Sequence, residues 1–242
     1  MDNYIGIFDS GIGGFTILDE LKKTLPNENF IYYKDSINNP YGEKSEEEIY
    51  TICKTIVNKL IAKNVKLIVI ACNTATTICM KKLKKEYKNI IFVGTVPAIK
   101  VACDNNYKNI LVMATPSTCK SKRIKELVDD NIKKNQNIFI LPCKDLANSI
   151  ENKLEEKTNI LLHEELDQYK DKFIDAIVLG CTHYPFVKDK IKSILPNATI
   201  IDSALGVTKE VKRCLTVNNL LNDTKNIQKI EIIDTKKDAY NG

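Results

Sequence analysis

The chain has 242 residues, of which 43% are hydrophobic and 28% are charged, and its net charge is +5. This composition is typical of a folded globular protein and excludes disorder, collagen and coiled coil as the overall class. At roughly 150 residues per domain, the length corresponds to one large domain or two small ones. The longest apolar runs, such as residues 67–72, are too short to cross a membrane, and the N-terminus lacks the pattern of a signal peptide, so we expect a cytoplasmic protein.

The small excess of positive charge does not indicate a nucleic-acid-binding protein. The densest basic run, residues 81–85 (KKLKK), fits the solvated face of a helix with its leucine turned inward. An anion or nucleic-acid patch is the lesser alternative, because no RNA- or DNA-binding signature accompanies the run. We therefore expect neither a nucleic-acid nor a membrane partner.

Short apolar runs rich in β-branched residues predict eight strands. These runs are residues 4–8, 30–33, 67–71, 90–93, 110–114, 138–141, 176–180 and 199–201. Between them, apolar residues at three- and four-residue intervals predict helices. The helical segments are residues 15–24, 46–63, 76–86, 121–133, 146–156, 161–170 and 186–195. Strands that alternate with helices predict an α/β fold with mainly parallel sheets flanked by helices.

The first four strands and the last four repeat at a nearly constant spacing. They begin at residues 4, 30, 67 and 90, and again at 110, 138, 176 and 199, an offset of 106 to 109 residues. The third strand of each set ends in a small residue followed by Cys72 or Cys181, with a threonine within two positions. This pattern predicts two pseudo-symmetric α/β domains with the two cysteines in corresponding places.

After the second set of strands, residues 205–221 are predicted as a helix and residues 227–233 as a strand. We expect this tail to return to the first unit. The predicted domains are therefore residues 1–94 plus 205–242, and residues 95–204.

The eight cysteines do not form a recognisable zinc motif. No two are spaced as C-x-x-C, and histidine occurs only at positions 163 and 183, so no metal site is expected. In a cytoplasmic chain of this size most of the cysteines should be reduced, buried thiols.

A glycine-rich turn follows the first predicted strand, where Asp9 and Ser10 precede residues 11–14 (GIGG). Glycines let the backbone approach a ligand, and the next helix offers free N–H groups to an anion. The turn lacks the Gly-Lys-Ser/Thr of a P-loop and the last glycine of the dinucleotide-binding motif. The plain alternative is a tight turn in which Asp9 or Ser10 caps the helix.

Two further motifs follow the third strands, at residues 72–76 (CNTAT) and 180–185 (GCTHYP). Cys72 lies near a predicted helix start, where the partial positive charge lowers the pKa of a thiol. Cys181 and His183 are two residues apart and could share a proton. The alternatives are a buried cysteine beside a helix cap, and a hydrogen-bonded histidine in the wall of a site.

A fourth motif, the turn of Asn39, Pro40, Tyr41 and Gly42, could close over a ligand, although without the other motifs a plain turn is the favoured alternative.

Two thiols on opposite walls of a cleft suggest inversion of a stereocentre. One thiolate removes the α-proton of an amino acid from one face, and the other thiol returns a proton to the opposite face. Because the α-proton is weakly acidic, the thiolate must be activated and the developing carbanion stabilised. Asp9 and His183 could assist as proton acceptors or orienters. No lysine motif indicates a pyridoxal Schiff base, so no cofactor is expected.

The sequence resembles the glutamate racemases, cofactor-independent enzymes of the aspartate/glutamate racemase superfamily. The resemblance covers nearly the whole chain and rests on five motifs in this order: residues 9–14, 40–45, 71–76, 94–100 and 180–185. It implies two α/β domains with an active site in the cleft between them. It also implies interconversion of L- and D-glutamate, supply of D-glutamate to peptidoglycan, and a homodimer.

The resemblance also implies roles for individual residues. Cys72 would act as the base toward D-glutamate and Cys181 toward L-glutamate, with Asp9 assisting the first and His183 the second. The residues that contact the substrate would be Asp9, Ser10, Pro40, Tyr41, Gly42, Cys72, Asn73, Thr74, Thr118, Cys181, Thr182 and His183.

One segment departs from the family pattern. The family often has Cys-Pro-x-x-Val-Pro-x-x-Glu, whose glutamate supports the second cysteine. Here residues 143–151 keep the spacing from Cys143 to Glu151 but lack both prolines. Glu151 is thus either a catalytic support or an exposed carboxylate on a helix.

Three other functions compete with glutamate racemisation. An aspartate or broad-specificity racemase would use the same thiols, but the His-Tyr-Pro after Cys181 resembles the glutamate branch. A thiol hydrolase needs one nucleophile and not a duplicated pair. A protein that only binds a small carboxylate would not need a second thiol.

Overall fold

The computed structural model describes residues 3–222 and 227–238. The chain divides into two compact units. The first unit runs to Thr95 and resumes at Ala204, and the second unit is Val96–Ser203. We describe each unit separately.

The elements alternate between strands and helices along the described chain. In order they are β1 (Tyr4–Asp9), α1 (Phe15–Thr24), β2 (Asn29–Lys34), α2 (Glu46–Ala62), β3 (Val65–Ile70), α3 (Asn73–Glu86), β4 (Ile91–Gly94), α4 (Ile99–Asp104), β5 (Asn109–Ala114), α5 (Pro116–Lys120), α6 (Lys122–Asp129), β6 (Asn137–Pro142), α7 (Leu146–Glu151), α8 (Glu155–Leu166), β7 (Ala176–Leu179), α9 (Lys188–Ile194), β8 (Thr199–Ile201), α10 (Ala204–Val217), β9 (Ile230–Asp234) and α11 (Thr235–Asp238). Short 3-10 turns occur at Tyr41–Glu43, Asp167–Lys172 and Tyr184–Val187.

The first unit contains a five-stranded parallel sheet in the order β4-β3-β1-β2-β9. Its inner strands β1, β2 and β3 are mostly apolar and buried, since helices cover both faces, whereas the edge strand β9 is partly exposed. One apolar cluster joins the sheet to α2 and α3, through Cys53 and Leu83 among others. The cluster on the other face joins it to α1 and α10, through Leu21 and Leu215.

The second unit contains a four-stranded parallel sheet in the order β6-β5-β7-β8. Read from the other edge, β8-β7-β5-β6 follows the same order as β4-β3-β1-β2 in the first unit. Strands that correspond in sequence thus occupy corresponding places, as a duplication requires. The predicted α/β class with parallel sheets is confirmed.

The tail completes the first unit. Strand β9 pairs with β2, from Ile230 opposite Phe30 to Asp234 opposite Lys34. Near the amino-terminal ends of β2 and β3, the ammonium of Lys66 lies 2.6 Å from Glu28 Oε2 and donates to the carbonyl of Leu220 at 2.6 Å. This ion pair is almost fully buried, and it holds the chain after α10 against β3.

Some helix bounds differ from the sequence expectations. The helix predicted over residues 146–156 is two helices, α7 and α8, because Lys153 adopts a left-handed conformation with φ of 55°. Helix α3 begins at Asn73, three residues earlier than predicted. The short helices α4 and α5 were not predicted, since five or six residues carry too little periodicity.

None of the helices in residues 3–222 and 227–238 is long and apolar enough to cross a membrane.

Candidate active site

Each unit gathers predicted site residues at the carboxyl ends of its parallel strands, where open α/β sheets bind ligands. In the first unit these are Asp9, Ser10, Pro40, Tyr41, Gly42, Cys72, Asn73 and Thr74, which we call the first half-site. In the second unit they are Thr118, Glu151, Cys181, Thr182 and His183, which we call the second half-site.

Asp9 is the last residue of β1, and its side chain is fully buried. Its Oδ1 accepts a hydrogen bond of 2.7 Å from the amide of Ser10. The cap of α1 is Gly14, without a side-chain hydrogen bond, so the alternative in which Asp9 or Ser10 caps this helix is wrong. The carboxylate is therefore held by the turn itself and not used to start the helix.

Gly14 is required for space and not for an unusual backbone angle, because its φ is −65°. A Cβ at this position would lie 2.7 Å from the hydroxyl oxygen of Tyr32 and 2.9 Å from the Cβ of Asp9. Glycine thus allows Tyr32 of β2 to pack directly against the turn that carries Asp9.

Cys72 is the N-cap residue of α3 and is 7% exposed. The free N–H groups at a helix start favour a thiolate. Strand register brings it near Asp9, because Phe8 pairs with Ile70 and the amide of Ala71 donates to the carbonyl of Phe8 at 2.8 Å.

Asn73, the first residue of α3, is 3% exposed. Within the described part of the chain, neither its side-chain oxygen nor its nitrogen has a hydrogen-bond partner. An unsatisfied buried polar group costs about 1–3 kcal/mol. A bound carboxylate or amine would relieve this cost, so Asn73 is suited to contact a ligand. Thr74, which follows it, is also buried.

Tyr41 lies in the 3-10 turn that follows the cis peptide bond between Asn39 and Pro40. It is 1% exposed, and its hydroxyl donates to Asp35 Oδ2 at 2.7 Å. Burial, reinforced by Cys53 and Asp35, raises the pKa of Tyr41 well above its usual value, so the phenol stays protonated.

The turn at Tyr41 continues through Gly42 into α2, which starts with a capping box. Ser45 Oγ accepts from the Glu48 amide at 3.3 Å, while the Glu48 carboxylate accepts from the Ser45 amide at 2.9 Å.

Sequence reasoning did not single out Asp35, the residue that accepts the hydrogen bond from Tyr41. The signal available was an acidic residue directly after a buried strand.

The second half-site contains a relay of three side chains. Cys181 Sγ lies 3.8 Å from Nδ1 of His183, and His183 Nε2 lies 2.7 Å from Glu151 Oε2. The side chains of His183 and Glu151 are only 4% and 10% exposed. The alternative that Glu151 is an exposed helix carboxylate is therefore wrong, even though the family's prolines are missing from its segment. A carboxylate that binds one imidazole nitrogen orients the other toward the thiol.

The threonines of the second half-site are both buried. Thr182 follows Cys181 and is 5% exposed, while Thr118 on α5 is fully buried. The Thr118 hydroxyl accepts a hydrogen bond of 3.0 Å from the hydroxyl of Thr115, which caps α5.

All eight cysteines are free thiols. In the apolar cluster that contains Cys181, the hydroxyl of the fully buried Tyr184 donates to the carbonyl of Cys143 at 3.5 Å. Burial raises the pKa of Cys143, and a hydrogen bond with Cys79 together with burial raises that of Cys53. These thiols are therefore protonated packing groups and not nucleophiles.

No group of three or more His, Cys, Asp or Glu side chains within residues 3–222 and 227–238 is placed to hold a metal ion.

Comparison with known proteins defines the class. A family model of Asp/Glu/hydantoin racemases matches residues 18–210. The chain belongs to this family and is an isomerase that acts on amino acids. The glutamate racemases of Clostridium botulinum (strain Alaska E43) and Clostridium acetobutylicum are 43% and 42% identical to it, covering 96% and 98% of this chain and 91% and 93% of those proteins. Within the family, the chain belongs with the glutamate racemases, which confirms the resemblance found in the sequence.

Solved structures agree with this assignment. The crystal structure of glutamate racemase from Francisella tularensis in complex with D-glutamate has a TM-score of 0.84 at 34% identity, covering 97% of this chain and 88% of that one. The aspartate racemase of Picrophilus torridus reaches a TM-score of 0.61 at 16% identity, over 89% of this chain and 95% of that one, and shares the fold alone.

Proposed function

We propose that the protein interconverts L- and D-glutamate without a cofactor, and that Cys72 and Cys181 act on opposite faces of the same α-carbon. The observation that carries this proposal is the repeated strand order, in which a cysteine follows the third strand of both sheets. Each cysteine has its own partner for proton transfer nearby. A single-thiol hydrolase or a binding protein would have no use for this repetition.

In the direction from D- to L-glutamate, the Cys72 thiolate takes the α-proton and becomes a thiol. The electron pair of the broken C–H bond stays on the substrate as a carbanion, which then takes a proton from the Cys181 thiol on the other face. Cys181 is left as a thiolate, so the reverse reaction begins with the roles exchanged.

The assisting groups differ between the half-sites. In the second, His183 can exchange a proton with Cys181, and the Glu151 carboxylate stabilises the resulting imidazolium. In the first, the assisting group is the buried carboxylate of Asp9, at the end of the strand next to the one that precedes Cys72.

The substrate would be held mainly by polar groups at the strand ends. The N-terminus of α3 suits a carboxylate, and the carboxamide of Asn73 can both donate to a carboxylate and accept from an ammonium. The remaining contacts would come from four hydroxyls and one turn. The hydroxyls are those of Ser10, Thr74, Thr118 and Thr182, and the turn is that of Pro40, Tyr41 and Gly42.

We further propose that the enzyme works in the cytoplasm as a homodimer and that its D-glutamate enters peptidoglycan. A reducing compartment suits eight cysteines without a disulfide. Light scattering on the purified protein tests the dimer, and a monomer at micromolar concentration would contradict it.

The function is tested by incubation with L-glutamate in D2O without added cofactor, with L-aspartate in parallel. We expect loss of optical rotation together with deuterium at the α-carbon of glutamate. Absence of exchange with either amino acid would refute racemisation. If deuterium exchanged faster into aspartate than into glutamate, glutamate would not be the preferred substrate. That result would favour the aspartate or broad-specificity alternative.

A further inference from the structure

Tyr32 is a fully buried tyrosine of β2 that the sequence motifs did not single out. Its hydroxyl donates a hydrogen bond of 2.7 Å to the carbonyl of Gly11, in the middle of the turn that follows Asp9. Its ring stacks on Phe15, the first residue of α1, with centroids 4.4 Å apart and an interplanar angle of 22°. Tyr32 thus contacts the turn at its centre and at its end.

The turn is shaped to receive this side chain. Gly14 has an ordinary φ, and a methyl group there would lie 2.7 Å from the Tyr32 hydroxyl and 2.9 Å from the Cβ of Asp9. Tyr32, Gly14 and Asp9 are therefore packed against one another without room for a further carbon atom. Tyr32 is therefore linked to the turn that carries Asp9 both by the hydrogen bond to Gly11 and by close packing around Gly14.

We propose that Tyr32 is a positioning residue that holds the Asp9 turn, residues 9–14, in the geometry required for proton transfer at Cys72. This inference rests on the proposed function, because it assumes that Asp9 assists Cys72. Loss of the hydroxyl leaves the Gly11 carbonyl without this donor inside a buried turn, and the turn relaxes toward other arrangements. The carboxylate then spends less time in its working position.

Tyr33 provides a matched control on the same strand. Its side chain lies on the other face of the sheet, in the cluster of α2 and α3, and its hydroxyl accepts a hydrogen bond of 3.0 Å from Lys59 Nζ. Tyr32→Phe and Tyr33→Phe remove the same atom from adjacent residues, yet only the first change affects the Asp9 turn.

The test measures racemisation by Tyr32→Phe with α-deuterated D-glutamate and α-deuterated L-glutamate separately. We expect kcat/KM to fall about tenfold in both directions, because the equilibrium constant is fixed. The slowed step is the one at Cys72. The primary isotope effect on kcat/KM should therefore rise with D-glutamate, where Cys72 breaks the C–D bond, and fall with L-glutamate, where it does not.

Tyr33→Phe should keep the wild-type rate and both isotope effects. A purely structural role of Tyr32 would lower the active fraction and leave both isotope effects unchanged, and this result would overturn the inference. So would a wild-type rate in Tyr32→Phe. If the wild-type protein does not racemise glutamate at all, the proposed function fails and the inference fails with it.

A second variant keeps the inference testable if Tyr32→Phe does not fold. Gly14→Ala retains the hydroxyl but presses a methyl group against it and against Asp9. The same opposite changes of the two isotope effects are expected, and equal isotope effects to wild type would contradict the inference.

Discussion

The two half-sites have a shared strand order but different polar groups near the cysteine. Both place a cysteine after the third strand of a parallel sheet. The first has a buried carboxylate, Asp9, held by a backbone turn, whereas the second has an imidazole that bridges Cys181 to Glu151. The repeated fold therefore determines where the thiols lie, and under the proposed mechanism separate local elements determine how each thiol exchanges its proton.

The largest expected effect comes from removing either thiol. Cys72→Ser and Cys181→Ser should each lower racemisation at least about 1,000-fold. A serine hydroxyl is a much weaker acid than a thiol, so it cannot replace the cysteine that exchanges a proton with the α-carbon on that face. Optical rotation with either enantiomer of glutamate measures this loss.

The control for the thiol variants is Cys214→Ser, a partly exposed cysteine of α10. It should retain the wild-type rate. Full activity of either catalytic variant would refute the two-thiol mechanism.

The second expected effect is confined to the half-site of Cys181. His183→Asn should lower kcat about 100-fold and Glu151→Gln about tenfold, since the carboxylate acts only through the imidazole. Both should raise the isotope effect with deuterated L-glutamate and lower it with D-glutamate, the reverse of the change expected for Tyr32→Phe.

His163→Asn is the matched control, because this histidine lies on α8 with its side chain 58% exposed. It should leave both isotope effects unchanged. If the isotope effect of the His183 variant changed in the same way with both deuterated enantiomers, His183 would not act specifically at the Cys181 step.

Sequence patterns predicted most of this arrangement. Strand spacing and the repeated cysteine motif predicted parallel sheets and the equivalence of Cys72 and Cys181, because period and motif are local properties of the chain. The break at Lys153 was missed, since a single left-handed residue leaves the helical periodicity on both sides intact.

The contacts of the site could not be derived from the sequence in the same way. The contact of Tyr32 with the Asp9 turn joins residues 21 positions apart, and that of Glu151 with His183 joins residues 32 positions apart. Such contacts depend on strand register and on how helices pack, which single-sequence patterns do not specify. Family resemblance indicated Glu151, but nothing in the sequence indicated Tyr32.

The third expected effect concerns the C-terminal tail from Ala204 onward, which belongs to the first unit and has no counterpart in the second. Lys66→Met should lower the free energy of unfolding by about 3–5 kcal/mol, because it leaves the buried Glu28 carboxylate without its cation. Urea titration followed by circular dichroism measures the change.

Lys63→Met is the surface counterpart, since its partner Glu231 is half exposed. It should cost no more than about 1 kcal/mol. Adding Glu28→Gln to Lys66→Met should recover much of the lost stability, because the remaining group is neutral. No recovery would show that the cost of Lys66→Met does not arise from a buried charge.

The smallest expected effect involves one buried thiol in each unit, Cys53 and Cys143. Both have a raised pKa in the folded protein, whereas an unfolded thiol loses its proton near pH 8.5. The folded state therefore binds more protons, and the free energy of unfolding should fall as the pH rises above the pKa of the unfolded thiol.

Cys53→Ala and Cys143→Ala should each reduce this slope, and the double variant should reduce it by the sum. Urea titrations between pH 8 and pH 10.5 measure the slopes. An unchanged slope in both variants would show that these thiols do not control the alkaline loss of stability.

The second unit is inserted between Thr95 and Ala204 of the first, and this has a consequence for synthesis on the ribosome. A nascent chain that has emerged as far as Ser203 contains every strand of the second sheet but lacks α10 and β9. The second unit can therefore fold while the first still waits for its last strand. Of Cys72 and Cys181, the one made first, Cys72, belongs to the unit that is completed last.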